Sequence, residues 1–383
     1  MSLPHKPVVL FYHAHFFNGS ETFIYQQAIN PHVEPLLLAK RFMDAPDMPL
    51  ASFKRFSFKR SKLEGAWSNL VGLVGVDKYY GSRSIAAMKN LLYSSRIDVI
   101  HAQFGFSGVR ILPLARAMKL PLVVSFHGLD ASKLLSKFSY RQGLKEVFSY
   151  ASAIVVCNPG MADRLPLSAE QRKKVVWIPY GIDVDKFSGL ALAQAKTTVD
   201  LLHVGRLVEK KGVPDLIRAF GVVIKQAPQA VLHLVGNGPE EEQCHRLVAT
   251  LGLEESVRFH GWKSPSEVSA LMRQADVFVL NSRTARDGDS EGLPVGLLEA
   301  MAIGLPLVST QHAGIPLAVE DNISGLLVPE RDNGALADQL LQLLLDGALR
   351  RRLGQAARAR VVEQFTMERM HERLWKVYDG VGR

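Results

Sequence analysis

Cysteine is scarce: only Cys157 and Cys244 occur in 383 residues, which excludes a disulfide-stapled secreted domain. Two thiols so far apart are expected to be reduced and buried. No apolar run approaches the roughly 20 residues that a membrane-spanning helix needs. The opening Met-Ser-Leu-Pro-His-Lys-Pro lacks the basic-then-apolar order of a secretory signal. The expected location is therefore the cytoplasm, or the inner face of the cytoplasmic membrane as a peripheral protein. Short-period repeats and low-complexity tracts are missing as well, which argues against solenoids and disordered arrays. The dinucleotide pattern Gly-x-Gly-x-x-Gly is also absent. Where the first strand candidate runs into Asn18-Gly19-Ser20, two of its three glycines are lacking, so a nicotinamide cofactor is not expected.

What is present is a folded chain, with 47% hydrophobic and 22% charged residues, long enough for two domains. Its net charge of +9 is uneven. Residues 1–195 hold 24 Lys/Arg against 13 Asp/Glu (+11), and residues 196–383 hold 22 against 24 (−2). Such asymmetry points to an anionic partner for the first half: nucleic acid, a membrane surface or a phosphorylated substrate.

Both halves alternate short β-branched runs with longer amphipathic stretches, the pattern of βαβ units. The strand candidates are Val8–Tyr12, Asp98–His101, Leu122–Phe126, Ala153–Val156 and Val175–Ile178, then Leu201–Val204, Val231–Val235, Val257–Phe259, Val277–Leu280 and Leu307–Ser309. Near-continuous apolar strands suit parallel sheets covered on both faces. The fold expected is α/β, with two doubly wound domains facing across a cleft. A polar linker from Asp185 to Thr198 separates residues 1–190 from 191–364, and an arginine-rich helical tail runs from Arg350 to Tyr378. Ligands of such sheets bind beyond the carboxyl ends of the strands, so residues directly after strands carry most weight.

The segment Asp-Gly-Asp-Ser-Glu-Gly-Leu-Pro-Val-Gly-Leu-Leu-Glu-Ala, residues 287–300, sets Glu291 and Glu299 around a helix start. Pro294 is expected near the first helical position, where its missing N–H costs nothing. The amides of Val295, Gly296 and Leu297 then lack internal acceptors and attract phosphate. In one helix, eight steps would part the glutamates by about 12 Å and roughly 80°. With Glu291 in the preceding turn, both can face one elongated ligand with a phosphate between its ends. An amphipathic helix with a solvated glutamate is the plainer alternative. Arg206 and Lys211 follow another strand, and both suit phosphate oxygens. His127 ends the strand before Gly128 and could bond a sugar hydroxyl; a loop histidine without a ligand carries equal weight. His101 has apolar neighbours and reads as a core residue. Asp287-Gly288-Asp289 could hold a divalent metal, but two nearby cations can neutralise a diphosphate alone, so no metal is expected.

Residues 53–62 interleave Phe53, Phe56 and Phe58 with Lys54, Arg55, Lys59, Arg60 and Lys62 and contain no acid. Rings beside cations suit an anionic membrane interface or single-stranded nucleic acid. An edge strand with a solvated basic face fits equally. The charge of the whole first half favours a membrane or an anionic acceptor, and nucleic acid is not the expected partner.

Together these segments resemble the retaining nucleotide-sugar glycosyltransferases of family four, which have the two-domain GT-B architecture. The glutamate–seven–glutamate signature from Glu291 to Glu299 is the most specific element. Gly205-Arg206 with Lys211-Gly212, Val235-Gly236-Asn237-Gly238-Pro239 and Ile178-Pro179-Tyr180-Gly181-Ile182-Asp183 support it. Ser20-Glu21-Thr22-Phe23-Ile24, the Asp-Gly-Asp-Ser-Glu-Gly-Leu-Pro loop and Gly314-Ile315-Pro316 resemble the colanic-acid and exopolysaccharide branch. The resemblance implies that Arg206 and Lys211 bind the donor diphosphate, with Val295 and Gly296 at the helix end. It places Glu299 at the ribose, Glu291 at the transferred sugar, and His127 near the anomeric centre. Gly19 would approach the phosphates, while Gly236, Asn237, Gly261 and Trp262 would flank base and ribose. The last helix, about 365–383, would cross back onto the first domain. Pro294, where many members have glycine, removes one amide donor.

The implied reaction is hexosyl transfer from a nucleoside diphosphate sugar, UDP-hexose before GDP-mannose, to a lipid-linked or oligosaccharide acceptor, with no cofactor. Polyprenyl-diphosphate-linked glycans and an anionic membrane surface are the partners implied. A sugar-nucleotide epimerase of the same fold and a non-catalytic membrane- or nucleic-acid-binding protein are the alternatives.

Overall fold

Val, Ile, Leu and Phe runs of four to six residues form parallel strands in a computed structural model of the chain. The structure describes residues 6–16, 21–43, 48–58, 80–187 and 197–382. It divides into two compact units, residues 1–181 with 368–383 and residues 182–367. Most of the linker expected between Asp185 and Thr198 lies outside the described residues.

In the first unit the strands are β1 (Val8–Tyr12), β2 (His15–Phe16), β3 (Glu34–Ala39), β4 (Arg41–Phe42), β5 (Lys54–Ser57), β6 (Val99–Gln103), β7 (Leu122–Phe126), β8 (Ala153–Val156) and β9 (Val175–Trp177). Seven of them form one parallel sheet in the order β5-β3-β1-β6-β7-β8-β9, and β2 pairs with β4. β1, β6 and β7 are buried at every residue, so both faces are covered. The order reverses between β1 and β6, and ligands of doubly wound sheets lie at such a switch. Two helices, Gly347–Gln364 and Met367–Val381, form the tail. The second belongs with the first unit: Tyr378 Oη lies 2.8 Å from His101 Nδ1, and Asn30 Nδ2 donates to the His371 carbonyl at 2.8 Å.

The second unit holds β10 (Val199–Val204), β11 (Ala230–Val235), β12 (Val257–Gly261), β13 (Val277–Leu280), β14 (Leu307–Thr310) and β15 (Leu326–Val328). They form a parallel sheet in the order β12-β11-β10-β13-β14-β15, with its switch between β10 and β13. On the other side of β10, two glycines let the loops after β11 and β10 touch. A Cβ on Gly236, at φ +124°, would lie 2.1 Å from the Gly205 carbonyl oxygen, and one on Gly238 would lie 2.3 Å from that of Leu207. Among the described residues no helix is long and apolar enough to cross a membrane.

One of the alternatives left open for the basic stretch is seen, and one expectation changes. Lys54–Ser57 is the edge strand of the first sheet, and Phe53 and Phe58 turn into the core at 7% and 6% exposure. Among the described residues of that basic stretch, only Phe56 keeps its ring partly outside, with the Lys54 ammonium 5.4 Å over it. Lys59, Arg60 and Lys62 lie outside the described residues, as do Gly19 and Ser20. The helix after β1 starts at Thr22 with Glu21 as its N-cap. Pro294 is likewise the N-cap of Val295–Ile303 rather than its first residue. Both cysteines are free and buried, and burial pushes each thiol up to about 12.

Candidate active site

The switch of the second sheet gathers most of the residues singled out in the sequence. After β10, Gly205-Arg206 leads to the short turn Glu209–Lys211, which ends at Gly212 with φ +63°. A Cβ there would strike the Asn281 carbonyl oxygen at 2.6 Å. Asn281, directly after β13, donates from Nδ2 to the Gly212 carbonyl at 2.7 Å. These contacts lock the two loops together. Two consecutive lysines then meet two carboxylates across them: Lys210 Nζ lies 3.2 Å from Asp289 Oδ1, and Lys211 Nζ lies 3.0 Å from Glu291 Oε1. Lys211 passes beside Gly205, whose missing side chain leaves its path clear; a Cβ would lie 3.2 Å from Lys211 Cε. Arg206 is exposed, and among the described residues its guanidinium has no hydrogen-bond or ion-pair partner.

The two glutamates sit in opposite electrostatic settings. Burial would raise the pKa of Glu291, but the charges of Lys211 and Lys210 with the Lys211 hydrogen bond overcome it and hold it at about 2. Glu299, on the fifth residue of its helix, is pushed up to about 7 by burial, against the opposing pull of Lys186. His203 is fully buried, with Nδ1 3.1 Å from the Val279 carbonyl. Burial and then the Lys211 charge bring it down to about 3, so the ring is neutral.

At the start of the helix Val295–Ile303, the Pro294 carbonyl accepts from Leu297 N–H at 3.2 Å and Leu298 N–H at 3.4 Å. Leu297 is therefore not one of the open amides. Val295 and Gly296 are the two that lack an acceptor among the described residues, and a Cβ on Gly296 would meet nothing within 4 Å. An anion could reach this end directly. Asp289 N–H turns back to Asp287 Oδ1 at 3.0 Å while the Asp289 carboxylate holds Lys210. The Asp-x-Asp loop thus serves to neutralise a lysine.

Beyond β11 and β12, Asn237 lends its carbonyl to Leu207 N–H at 2.9 Å, and Gly236 N–H donates to the Gly261 carbonyl at 2.8 Å. Trp262 beside them stands 65% exposed. Lys210, His312 and Glu330 join the site without having stood out in the sequence. His312 is buried; its Nε2 accepts the Glu291 N–H at 3.1 Å and its Nδ1 lies 2.6 Å from Glu330 Oε1. His312 lies two residues past the end of β14, in the loop region where residues of such sheets face ligands.

In the first unit His127 does follow β7, but both ring nitrogens are taken. Nδ1 lies 2.8 Å from Tyr180 Oη and Nε2 lies 2.9 Å from Gln103 Oε1. An amide oxygen only accepts, so Nε2 carries the proton and Nδ1 accepts from the tyrosine. The ring packs against Phe23 and Phe104 at 4.6 and 4.7 Å. Burial, then His101 and His13, push its pKa well down. In this arrangement no free nitrogen is presented to a sugar. His101 is a core residue bonded to Tyr378 and Ser125. Asp130 was overlooked: its buried carboxylate accepts from the N–H groups of Gly105, His127 and Gly128 at 2.8, 2.9 and 3.1 Å. It thereby ties Phe104, at φ +73° after β6, to His127 after the neighbouring β7. Lys54 reaches Ser95 Oγ at 3.1 Å, and Arg55 lies over Phe42 at 5.6 Å.

Two doubly wound parallel domains with a cationic loop and an open helix end at the second switch define a GT-B-type glycosyltransferase. A crystal structure of Anabaena Alr3699/HepE in complex with UDP and glucose has this fold, with TM-score 0.77 and 18% identity over 97% of this chain and 99% of that one. The family model "Glycosyl transferases group 1" matches residues 191–360, and "Glycosyltransferase Family 4" matches residues 70–186. The amylovoran biosynthesis glycosyltransferase AmsK of Erwinia amylovora is 31% identical over 78% of this chain and 75% of its own length. A candidate colanic acid biosynthesis glycosyltransferase of Escherichia coli (strain K12), WcaL, is 35% identical over 69% of this chain and 66% of its own. The chain belongs to glycosyltransferase family four, near the colanic-acid and exopolysaccharide branch.

Proposed function

We propose that the chain transfers a hexose from UDP-hexose to a lipid-linked or oligosaccharide acceptor in exopolysaccharide synthesis, with retention of anomeric configuration. The observation that carries this reading is the Lys211–Glu291 pair at 3.0 Å, on loops that also hold Arg206 and the open amides of Val295 and Gly296. A leaving diphosphate develops charge on its β-phosphate. Two cations and two amides already in place stabilise such charge without reorganisation, the largest kind of catalytic contribution. Glu291, ionised at neutral pH, accepts hydrogen bonds from sugar hydroxyls, and Glu299 does so from ribose. No described side chain is placed as a covalent nucleophile by this reading. The acceptor attacks from the face the diphosphate leaves, which retains configuration, and a phosphate oxygen takes the acceptor's proton.

Neither a metal nor a cofactor takes part, because Arg206 and Lys211 supply the counter-charge. UDP is favoured over GDP by the UDP complex of Alr3699/HepE, and the exopolysaccharide role by the names of AmsK and WcaL. The +11 charge of residues 1–195 supports a diphosphate-linked acceptor presented at an anionic membrane surface. Thermal-shift measurements with UDP-glucose, UDP-galactose and GDP-mannose test the donor. Stabilisation by a UDP-sugar and none by GDP-mannose is expected. Release of UDP from the donor in the presence of a lipid-linked oligosaccharide, but not in its absence, separates transfer from epimerisation.

A further inference from the structure

We infer that His312, oriented by Glu330, is a positioning residue that fixes Glu291 for its contact with the donor sugar; this rests on the function proposed above. A backbone N–H can only donate, so the 3.1 Å contact from Glu291 N to His312 Nε2 puts the lone pair on Nε2 and the proton on Nδ1. That proton points at Glu330 Oε1, 2.6 Å away, and Glu330 Oε2 accepts the Thr284 N–H at 2.9 Å. The loops after β13, β14 and β15 are joined through one histidine and one glutamate.

A second bond works beside the first. Gly314 N–H donates to the Gly292 carbonyl at 3.0 Å, so the Glu291-Gly292 residue pair is held at its leading N–H and its trailing C=O by the loop after β14. Between those two grips sits Ala313 at φ +48°, a conformation that side chains other than glycine rarely take. The loop holds this strained turn where it presents His312 to the Glu291 N–H and Gly314 to the Gly292 carbonyl. Misplacement of a sugar-contacting group by about 1 Å costs on the order of 10²-fold in rate, so the grip bears on turnover.

The test is a double-mutant cycle with UDP-glucose turnover, UDP affinity by calorimetry and melting temperature as readouts. His312→Ala and His312→Asn are expected to lower kcat by roughly 10–100-fold, with the Kd for UDP alone within about threefold. The amide oxygen of His312→Gln reaches where Nε2 sits, so this variant should recover to within about fivefold of the parent. In a Glu291→Ala background, His312→Ala should cost nothing more, because both act through one carboxylate. Equal loss in the Asn and Gln variants overturns the role, as does additive loss in the double variant, or UDP affinity falling in step with kcat. Should His312→Ala not fold, the Asn and Gln pair still decides. A parent protein that does not bind UDP-glucose defeats the proposed function and this role with it. A parent that binds while all His312 variants match it defeats this role alone.

Discussion

Replacing Lys211 with methionine removes the cation nearest a buried carboxylate. The Glu291 and Lys211 side chains are 11% and 14% exposed, so water screens little of their attraction. With Lys211 in place, the Glu291 carboxyl sits at about 2 against an ordinary value of 4.5. That displacement corresponds to about 3 kcal/mol of preference for the ionised form in the folded state. Because the folded pKa is depressed, this stabilisation is present above pH 4.5 and is lost as the pH falls toward 2. In the variant, burial remains and most of the opposing charge is gone, so the pKa turns upward. An unpaired buried charge of this kind costs about 3–5 kcal/mol. The expected loss at pH 7 is therefore of that size, and it shrinks as the pH falls through the raised Glu291 pKa of the variant toward the parent's value of about 2. Urea and thermal unfolding of parent and variant between pH 3 and 8 measure it. A loss under about 1 kcal/mol at pH 7, or one that does not vary with pH, refutes the reasoning.

Arg206→Ala should lower turnover by a factor on the order of 10²–10³ while leaving the melting temperature unchanged, since its exposed guanidinium has no ion-pair partner among the described residues; steady-state kinetics with calorimetric melting checks both. Glu299 has its folded pKa raised to about 7, so its stabilising contribution is present below 4.5 and is lost as the pH rises through 7. Glu299→Gln should consequently melt higher than the parent at pH 8 and match it at pH 4, and equal melting at pH 8 counts against the buried setting. Asp130→Ala strands three backbone N–H groups in the first unit, at a cost on the order of 3 kcal/mol or more; Asp130→Asn, which keeps one acceptor oxygen, should lose less.

Much of the fold could be read along the chain, because apolar strand runs and their spacing are local properties. Val8–Tyr12, Leu122–Phe126, Ala153–Val156 and Val277–Leu280 form strands with the bounds expected. The strands Glu34–Ala39 and Leu326–Val328 did not stand out in the sequence. The first, though six residues long, opens on Glu-Pro, a strand-breaking start, and the second spans only three residues. The glutamate spacing and the cations after β10 were likewise visible, since a motif of a few residues carries its own geometry.

Pairing could not be read, because it depends on which loops the sheet order brings together. Lys210 meets Asp289 across 79 positions, and His127 meets Gln103 and Tyr180 across 24 and 53. For the basic stretch, composition left membrane and edge strand equal, and packing turned Phe53 and Phe58 inward. Residue types along the chain state which groups can ionise and where a helix can begin. Whether Glu291 stays charged while Glu299 titrates near neutrality is decided by burial and by counter-charges that only folding assembles, because both effects act through space and decay within a few ångströms.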